Sequence, residues 1–232
     1  MELATFRFPD PALAGRRGVV MGYAVRHPRG VLLFDTGFGF GNEELEATYD
    51  PKGRRIADAL TDVGVARDEV TAVVNCHLHF DHAGQNGSFP GVPIHVQRAE
   101  WELAHTSDHT ILEWIEAPGT TYLQADGDHE VEPGIRVIAT PGHTGGHQSL
   151  VVDTADGHIV LAGQACYTAG EWLGDPDALV GRVGAPDQAA YDRSIDRLRR
   201  LRPVRVHFGH DRDAWHAGPA QAPAPAILPG PC

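Results

Sequence analysis

The sequence has few cysteines, little positive charge and no long apolar run. Its three cysteines, Cys76, Cys166 and Cys232, are odd in number and widely spaced, which excludes a disulfide framework and favours a reducing compartment. Lysine and arginine number 19 against 31 aspartates and glutamates, a formal net charge of -12. Because phosphate-binding surfaces are basic, this balance argues against a nucleic-acid partner and against an anionic membrane surface.

The beginning of the chain also lacks the features of a targeting segment. Residues 1–8 have neither the basic start nor the apolar core of a signal peptide. No stretch approaches the roughly 20 apolar residues that a membrane span needs. We therefore expect a cytoplasmic protein without a membrane partner. One domain over residues 1–216 is the simplest division of the 232 residues, with an Ala/Pro/Gly-rich and loosely held tail at 217–232.

Histidine is abundant, at 14 residues, and part of it is clustered. His77, His79, Asp81 and His82 form the pattern H-x-H-x-D-H. The apolar run 70–74 before them predicts a short buried strand, and a glycine follows. We therefore expect the cluster on a loop at a strand end, where its side chains can converge. The alternative is a polar loop that is rich in histidine by chance.

Other stretches predict an alternation of strands and helices. Strands are expected over residues 19–25, 31–34, 93–96, 135–138, 149–152, 158–162 and 204–208. Helical spacing is present over residues 52–63, 98–105 and 186–201. Asp187 is the expected N-cap of the last helix. The first two strands predict an antiparallel hairpin, and the order of elements in both halves suits a layered α/β/β/α body.

The stretch 106–127 shows no clear periodicity. It contains Trp114, Ile115 and Tyr122. Long loops are often functional, so it either covers a substrate or forms a packed connection. If it covers the site, these three side chains and Trp101 would set the substrate preference.

Potential metal ligands lie on three loops, each at the end of an expected strand: residues 77–82, His143 and His210. Glycines beside all three let the backbone approach a site closely. Neutral imidazole suits zinc at about 2.0–2.1 Å, and such an ion lowers the pKa of its bound water to about 7. A second metal roughly 3.5–4 Å away would clamp the same hydroxide and a substrate oxygen. Asp35, also at a strand end, either faces this site or bonds its own turn.

These motifs resemble the metallo-β-lactamase superfamily of hydrolases. The resemblance covers nearly the whole chain and is carried by residues 35–37, 77–82, 140–144, 161–167 and 208–211. It implies an α/β fold, an αββα sandwich of two mixed sheets flanked by helices, with the site at one edge of the sheets.

The same resemblance implies a set of metal ligands. The first ion would be held by His77, His79 and His143. The second would be held by Asp81, His82 and His210. Zinc, as one or two ions, is the implied cofactor.

Within the superfamily the chain looks most like the N-acyl-homoserine lactonase group, through residues 82–86, 96–100, 142–149 and 165–168. The implied activity is the opening of a lactone or similar ester by a metal-bound hydroxide. Asp81 would take part in proton transfer, and Tyr167 would position the carbonyl or stabilise the oxyanion, unless it is only packed behind the metals. Related thioesterases and esterases share much of this pattern. The partner is a small molecule, and such lactonases are often homodimers.

The family has an aspartate that bridges the two metals where this chain has Gln164. A glutamine offers one oxygen and no charge, so we expect a weakly or partly filled second site. Cys166 is a candidate substitute ligand through its thiolate, although a buried inert thiol is the simpler interpretation. Three outcomes are open: a working hydrolase in which hydroxide and Gln164, as a metal ligand, complete the bridge; an enzyme for another reaction or substrate; or a degenerate member that binds metal and ligand with little turnover. The acidic charge opposes a superfamily nuclease, and the absent signal peptide opposes a β-lactamase.

Overall fold

The structure is a computed structural model, and it describes residues 1–9, 15–178 and 180–218. The strands are β1 (Glu2–Arg7), β2 (Arg17–Met21), β3 (Tyr23–His27), β4 (Gly30–Phe34), β5 (Lys52–Gly53), β6 (Val70–Val74), β7 (Pro93–Gln97), β8 (Thr121–Ala125), β9 (His129–Glu132), β10 (Ile135–Ala139), β11 (Gln148–Thr154), β12 (Gly157–Leu161), β13 (Arg205–His207) and β14 (Trp215–His216). The helices are α1 (Glu43–Tyr49), α2 (Ile56–Asp62), α3 (Arg98–Ala104), α4 (Leu112–Ile115), α5 (Ala169–Leu173), α6 (Val180–Gly184) and α7 (Gln188–Arg200).

Two mixed sheets form the body of the molecule. The first has the order β3-β4-β6-β7-β8, in which β3 and β4 are antiparallel and the other neighbours are parallel. The second has the order β14-β13-β12-β11-β10-β9, in which only the pair β12–β13 is parallel. A small sheet, β2-β1-β5, lies beside them.

The core has three parts because each large sheet is apolar on both faces. Phe34 and Val74 of the first sheet pack with Leu150 of the second in one buried cluster. Alternate residues point the other way, and Leu33 packs with α2 in a second cluster. A third cluster joins the second sheet to α7. The layers are therefore helix, sheet, sheet and helix, and the expected αββα sandwich is confirmed.

The expected strand over 19–25 is wrong, because the chain forms two strands there. β2 belongs to the small sheet and β3 to the first large sheet, and Gly22 separates them. The Gly22 N–H donates to the Met1 carbonyl at 2.9 Å. A Cβ at Gly22 would lie 2.5 Å from a methyl carbon of the buried Leu3 side chain, so a larger residue would have to displace it. The predicted hairpin persists as β3–β4.

The stretch 106–127 is a packed connection that contains α4 and the edge strand β8. Trp101 and Tyr122 pack with ring centroids 4.6 Å apart, and Ile115 is 1% exposed. The Trp114 ring fills the space that a Cβ at Gly39 would need. These four side chains therefore contribute to packing inside the protein.

Most of the other predicted elements are confirmed to within a few residues, and Asp187 caps α7 by accepting from the Ala190 N–H at 2.8 Å. The helix expected from residue 52 begins at Ile56, because 52–53 form β5. Among the helices in the described part of the chain, none combines the length and the apolar character that crossing a bilayer requires. Most of the predicted tail, 219–232, lies outside the described residues, and the division into one domain stays a prediction.

Candidate metal centre

The expected ligands meet where loops leave the large sheets. The loop 75–84 follows β6, and the loop 140–147 follows β10. The segments 162–168 and 208–211 follow the parallel neighbours β12 and β13. Because the carboxyl ends of parallel strands lie at the same edge of a sheet, these segments converge.

Three imidazoles turn one nitrogen each toward a common point. Nε2 of His143 lies 3.1 Å from Nε2 of His77 and 3.3 Å from Nδ1 of His79. Burial and the neighbouring imidazoles hold the pKa values of His77 and His143 well below the usual range. Burial also lowers the pKa of His79 to about 3. The rings are therefore neutral, and their lone pairs are available to a metal.

A second group lies next to the first. Oδ2 of Asp81 is 3.3 Å from Nε2 of His82 and 3.8 Å from Nε2 of His210. Burial opposes ionisation of Asp81, but the imidazoles of His82, His210 and His79 together outweigh it and hold the pKa of that carboxyl well below its usual range. Burial likewise opposes charge on His82, yet the Cys76 sulfur, Asp81 and Asp35 together keep its pKa well above the usual range. Two carboxylates thus stabilise positive charge at this point.

The outer nitrogens of these histidines fix their tautomers. Nδ1 of His82 donates to Oδ2 of Asp35 at 2.9 Å, and Nδ1 of His210 donates to the Val19 carbonyl at 2.6 Å. Nε2 of the neutral His210 ring therefore faces inward without a proton, whereas the raised pKa of His82 keeps a proton on its Nε2, opposite Asp81, which a bound metal would replace. Among the described residues, Nε2 of His82 has no hydrogen-bond partner although it is buried. The donor atoms of both groups fit divalent metal ions.

Gln164 changes the second group. Its Nε2 contacts Nε2 of His210, and since that ring already donates through Nδ1, the amide is the donor. The amide oxygen is buried and has no partner within the described residues. Gln164 therefore satisfies the His210 lone pair that a second metal would need, which a carboxylate could not do.

Tyr167 lies against the same histidines. Its hydroxyl is 3.3 Å from Nδ1 of His143, and its ring centroid is 4.8 Å from that of His210. Burial raises the pKa of Tyr167, so the phenol stays protonated at neutral pH. If Nε2 of His143 faces a metal, Nδ1 carries the proton and donates to the phenol oxygen. The phenol hydrogen is then free for a substrate oxygen.

Three buried side chains support these loops but have no metal-ligand spacing in the sequence: Asp35, Glu100 and His147. Asp35, at φ 63, also accepts from the Cys76 N–H at 2.8 Å, so it serves both its turn and the site. Glu100 joins two ligand loops by accepting from the Leu78 N–H at 2.9 Å and the Thr144 hydroxyl at 2.5 Å.

His147 is not available as a ligand. Its Nδ1 faces the Thr140 carbonyl at 3.1 Å, and its Nε2 accepts from the Gln164 N–H at 2.9 Å. His147 and Glu100 fall within the motifs quoted for the resemblance. Glu100 lies on the same buried face of α3 as Ala104. An acidic residue at such a helix position is the one sequence signal that could have singled out Glu100.

Cys166 does not reach the metal groups. Its thiol contacts the Thr168 carbonyl at 3.5 Å and packs within the cluster around α7. Burial raises its pKa well above the usual range, so a thiolate is disfavoured. The substitute-ligand hypothesis is wrong, and Cys166 is a core thiol.

Two cavities open beside the three-histidine group. One, of about 330 Å³, is lined by Leu103, Pro141 and Ala190 together with His79 and His143. The other, of about 250 Å³, has an aromatic wall; its lining includes Phe6, Phe38, Tyr49, Phe80, Tyr167 and His210. His109, stacked on His79 with ring centroids 4.9 Å apart, lines both. The expected substrate-selecting residues are absent from the described lining of both cavities; they are Trp101, Trp114, Ile115 and Tyr122.

Comparison with known proteins agrees with this geometry. Residues 15–210 match the Metallo-beta-lactamase superfamily. The chain belongs to this superfamily. It is 37% identical over 206 residues to an N-acyl homoserine lactonase of a Bacillus species, covering 82% of this chain and 80% of the relative. It is 36% identical over 202 residues, with the same coverage, to the N-acyl homoserine lactonase AiiA of Bacillus thuringiensis subsp. kurstaki.

Solved superfamily structures share the fold. An N-acyl homoserine lactone hydrolase with the product N-hexanoyl-L-homoserine bound at its catalytic metal centre superposes with a TM-score of 0.75, at 31% identity and over 91% of each chain. AidC, a dizinc quorum-quenching lactonase, gives 0.64 at 16% identity over 84% of this chain and 73% of AidC, which supports the fold alone. The likeness to the lactonase group that the motifs indicated is confirmed.

Proposed function

We propose that this chain is a metal-dependent hydrolase that opens the ring of an N-acyl homoserine lactone or a similar ester. The observation that carries the proposal is the convergence of three neutral imidazole nitrogens within 3.1–3.3 Å, beside a cavity with an aromatic wall. The lactonases among the relatives, at 36–37% identity, support the choice of substrate.

Under this proposal zinc is the metal, because imidazole and carboxylate ligands in these numbers suit it. The residues that would hold the first ion are His77, His79 and His143. Those that would hold the second are Asp81, His82 and His210. When bound, zinc supplies Lewis acidity and lowers the pKa of a coordinated water.

The surrounding residues supply hydrogen bonds and proton transfer. The phenol hydrogen of Tyr167 donates to the lactone carbonyl oxygen and stabilises the negative charge that develops there when water attacks the carbon. The ionised carboxylate of Asp81 takes a proton from the attacking water and passes it to the ring oxygen as the C–O bond breaks. The product is a hydroxy acid, whose carboxyl group releases the second proton of the water to the solvent and becomes a carboxylate.

The aromatic wall gives the acyl chain a place to bind. Phe80, Phe38 and Tyr49 contact one another, with ring centroids 5.2 Å (Phe80–Phe38), 4.9 Å (Phe80–Tyr49) and 6.3 Å (Phe38–Tyr49) apart. Burying alkyl carbons against these rings is favourable, by about 0.8 kcal/mol for each CH₂. A cytoplasmic location is also proposed, supported by the two buried free thiols of Cys76 and Cys166.

The function is tested by following acid release from N-acyl homoserine lactones of different chain length. We expect turnover by zinc-loaded protein, loss of turnover after chelation and recovery on adding zinc. A simple alkyl ester and a β-lactam serve as comparison substrates. Absence of metal-dependent turnover on every lactone would rule out the proposed activity.

A degenerate, ligand-binding member of the superfamily is the second candidate. The contact between the Gln164 amide and His210 favours it, because the second group is partly satisfied without a metal. Elemental analysis after dialysis against zinc separates the candidates. A zinc content close to two ions per chain supports the hydrolase and a near-zero content supports the degenerate member; at about one ion per chain, lactone turnover by the zinc-loaded protein decides between them.

A further inference from the structure

A buried carboxylate with no assigned role lies directly behind Tyr167. Glu171, on α5, is 2% exposed and neighbours the apolar cluster around α7. In the part of the chain that the structure describes, its carboxylate has no lysine, arginine or histidine within salt-bridge distance. A buried carboxylate is costly unless hydrogen bonds satisfy it, so its donors are informative.

Three donors from three separate segments satisfy this carboxylate. Oε2 accepts from the Tyr167 backbone N–H at 2.7 Å and from the Tyr191 hydroxyl, on α7, at 2.8 Å. Oε1 accepts from the Arg182 backbone N–H, on α6, at 2.8 Å. Hydrogen bonds to a carboxylate are stronger than those between neutral groups. Glu171 therefore ties the Tyr167 segment to both helices.

The Tyr167 ring is enclosed by the elements that Glu171 joins. On one side is Gly181 of α6, where an added Cβ would lie 2.3 Å from the ring. On the other side are His143 and His210, with ring centroids 5.7 and 4.8 Å away. A shift of the Tyr167 backbone or of α6 would move the phenol from its place beside Nδ1 of His143.

We propose that Glu171 is a positioning residue for lactone hydrolysis and that it acts through Tyr167. This inference rests on the proposed function. Fixing the Tyr167 backbone keeps the phenol aimed at the carbonyl oxygen before substrate binds, so no reorganisation is needed as charge develops.

A double-mutant cycle tests the coupling. Glu171→Gln keeps one acceptor but places an NH₂ group, which cannot accept, opposite one set of donors. We expect Glu171→Gln to lower kcat by about tenfold with little change in KM, because roughly one charge-assisted hydrogen bond is lost. Tyr167→Phe should lower kcat by at least as much, and adding Glu171→Gln to it should change little more. Independent, multiplicative effects of the two substitutions would overturn the proposal.

Tyr191→Phe is the matched control, since it removes one donor to the same oxygen and leaves the Tyr167 N–H in place. We expect its kcat to stay within about twofold of the parent protein. Glu171→Asp, which keeps the charge but shortens the side chain, covers the case in which Glu171→Gln does not fold. Its kcat should also fall, and a value equal to that of the parent would contradict the positioning role.

Amide hydrogen exchange of peptides covering residues 165–170 gives a readout that needs no turnover. Glu171→Gln should speed exchange at Tyr167 by about tenfold, while Tyr191→Phe should not. Unchanged exchange in Glu171→Gln would overturn the proposal. If the parent protein hydrolyses no lactone, the proposed function fails, and the exchange data still decide whether Glu171 holds Tyr167.

Discussion

Gln164 determines how the second half of the metal centre can be filled. Where the resemblance implies an aspartate, this chain presents an amide that donates to His210. A neutral amide has one oxygen to share and cannot offset the charge of two cations, so the two groups of candidate ligands are unequal. The three-histidine group is untouched by the change.

The substitution Gln164→Asp should restore a bridging carboxylate and free the His210 lone pair. We expect the zinc content after dialysis to rise from about one toward about two ions per chain. Gln164→Asn is the matched control, because it has the length of aspartate without the charge. Equal zinc contents in the parent protein and Gln164→Asp would show that the bridge does not limit the second site.

For single residues, the sequence predicts the metal ligands better than the side chains that hold the ligand loops in place. The spacing of His77 and His79 predicts a metal site, because few other functions require two histidines at this spacing. Glu100 and His147 could not be assigned in the same way, since their partners come from loops that only the folded chain brings together. The departure at Gln164 is visible in the sequence, but its contact with His210 is not.

Among the elements, the loop after β6 depends on close backbone approach. A Cβ at Gly84 would lie 2.0 Å from the Gly39 nitrogen and 2.5 Å from the Phe80 carbonyl oxygen. Backbone atoms cannot rotate away as side chains do, so the loop and the 35–39 segment fit only with glycine here.

Gly84→Ala should therefore lower the free energy of unfolding by about 3 kcal/mol or more, because both the loop and its neighbour must shift. Gly145→Ala is the control, since an added Cβ there meets nothing within 4 Å. Urea unfolding of the metal-free proteins measures both. If the two variants lose equal stability, the close approach at Gly84 is not the cause.

The elements that sequence periodicity missed are those stabilised by distant contacts. β1 pairs with β2 and β5 and is defined by this pairing, not by a pattern of its own. The same pairing separates β2 from β3 at Gly22. The apolar run over residues 19–25 gives no sign of this break. Strands with two covered faces and helices with a clear apolar face were predictable, because local pattern and burial agree there.

At the scale of the whole molecule, packing two sheets face to face buries a histidine cluster at one edge. Burial lowers the pKa of His79 to about 3 and that of His210 to about 4, and those of His77 and His143 also fall. In the unfolded chain the pKa of each of these histidines is about 6.5. Below that pH the unfolded state binds more protons, so acid favours unfolding. His82, whose pKa is raised, opposes the trend, but burial also lowers the pKa values of His95, His147 and His207, which add to it.

We therefore expect metal-free protein to lose several kcal/mol of stability as the pH falls from about 6.5 toward about 3, since one pKa unit corresponds to about 1.4 kcal/mol. Scanning calorimetry in chelator between pH 7.5 and 4.5 measures the midpoint. A midpoint that is flat or rises toward acid would contradict buried, neutral histidines.

The homodimer implied by the resemblance stays a prediction, for which light scattering is the measurement.

Zinc titration of the metal-free protein, with bound zinc and lactone turnover recorded at each step, tests the central claim most directly. We expect the first ion to bind firmly at the three-histidine group and turnover to appear as that group fills, up to about one ion per chain. Firm binding of zinc with no lactone turnover at any ratio would contradict the hydrolase. Failure of the first ion to bind would contradict the metal centre itself.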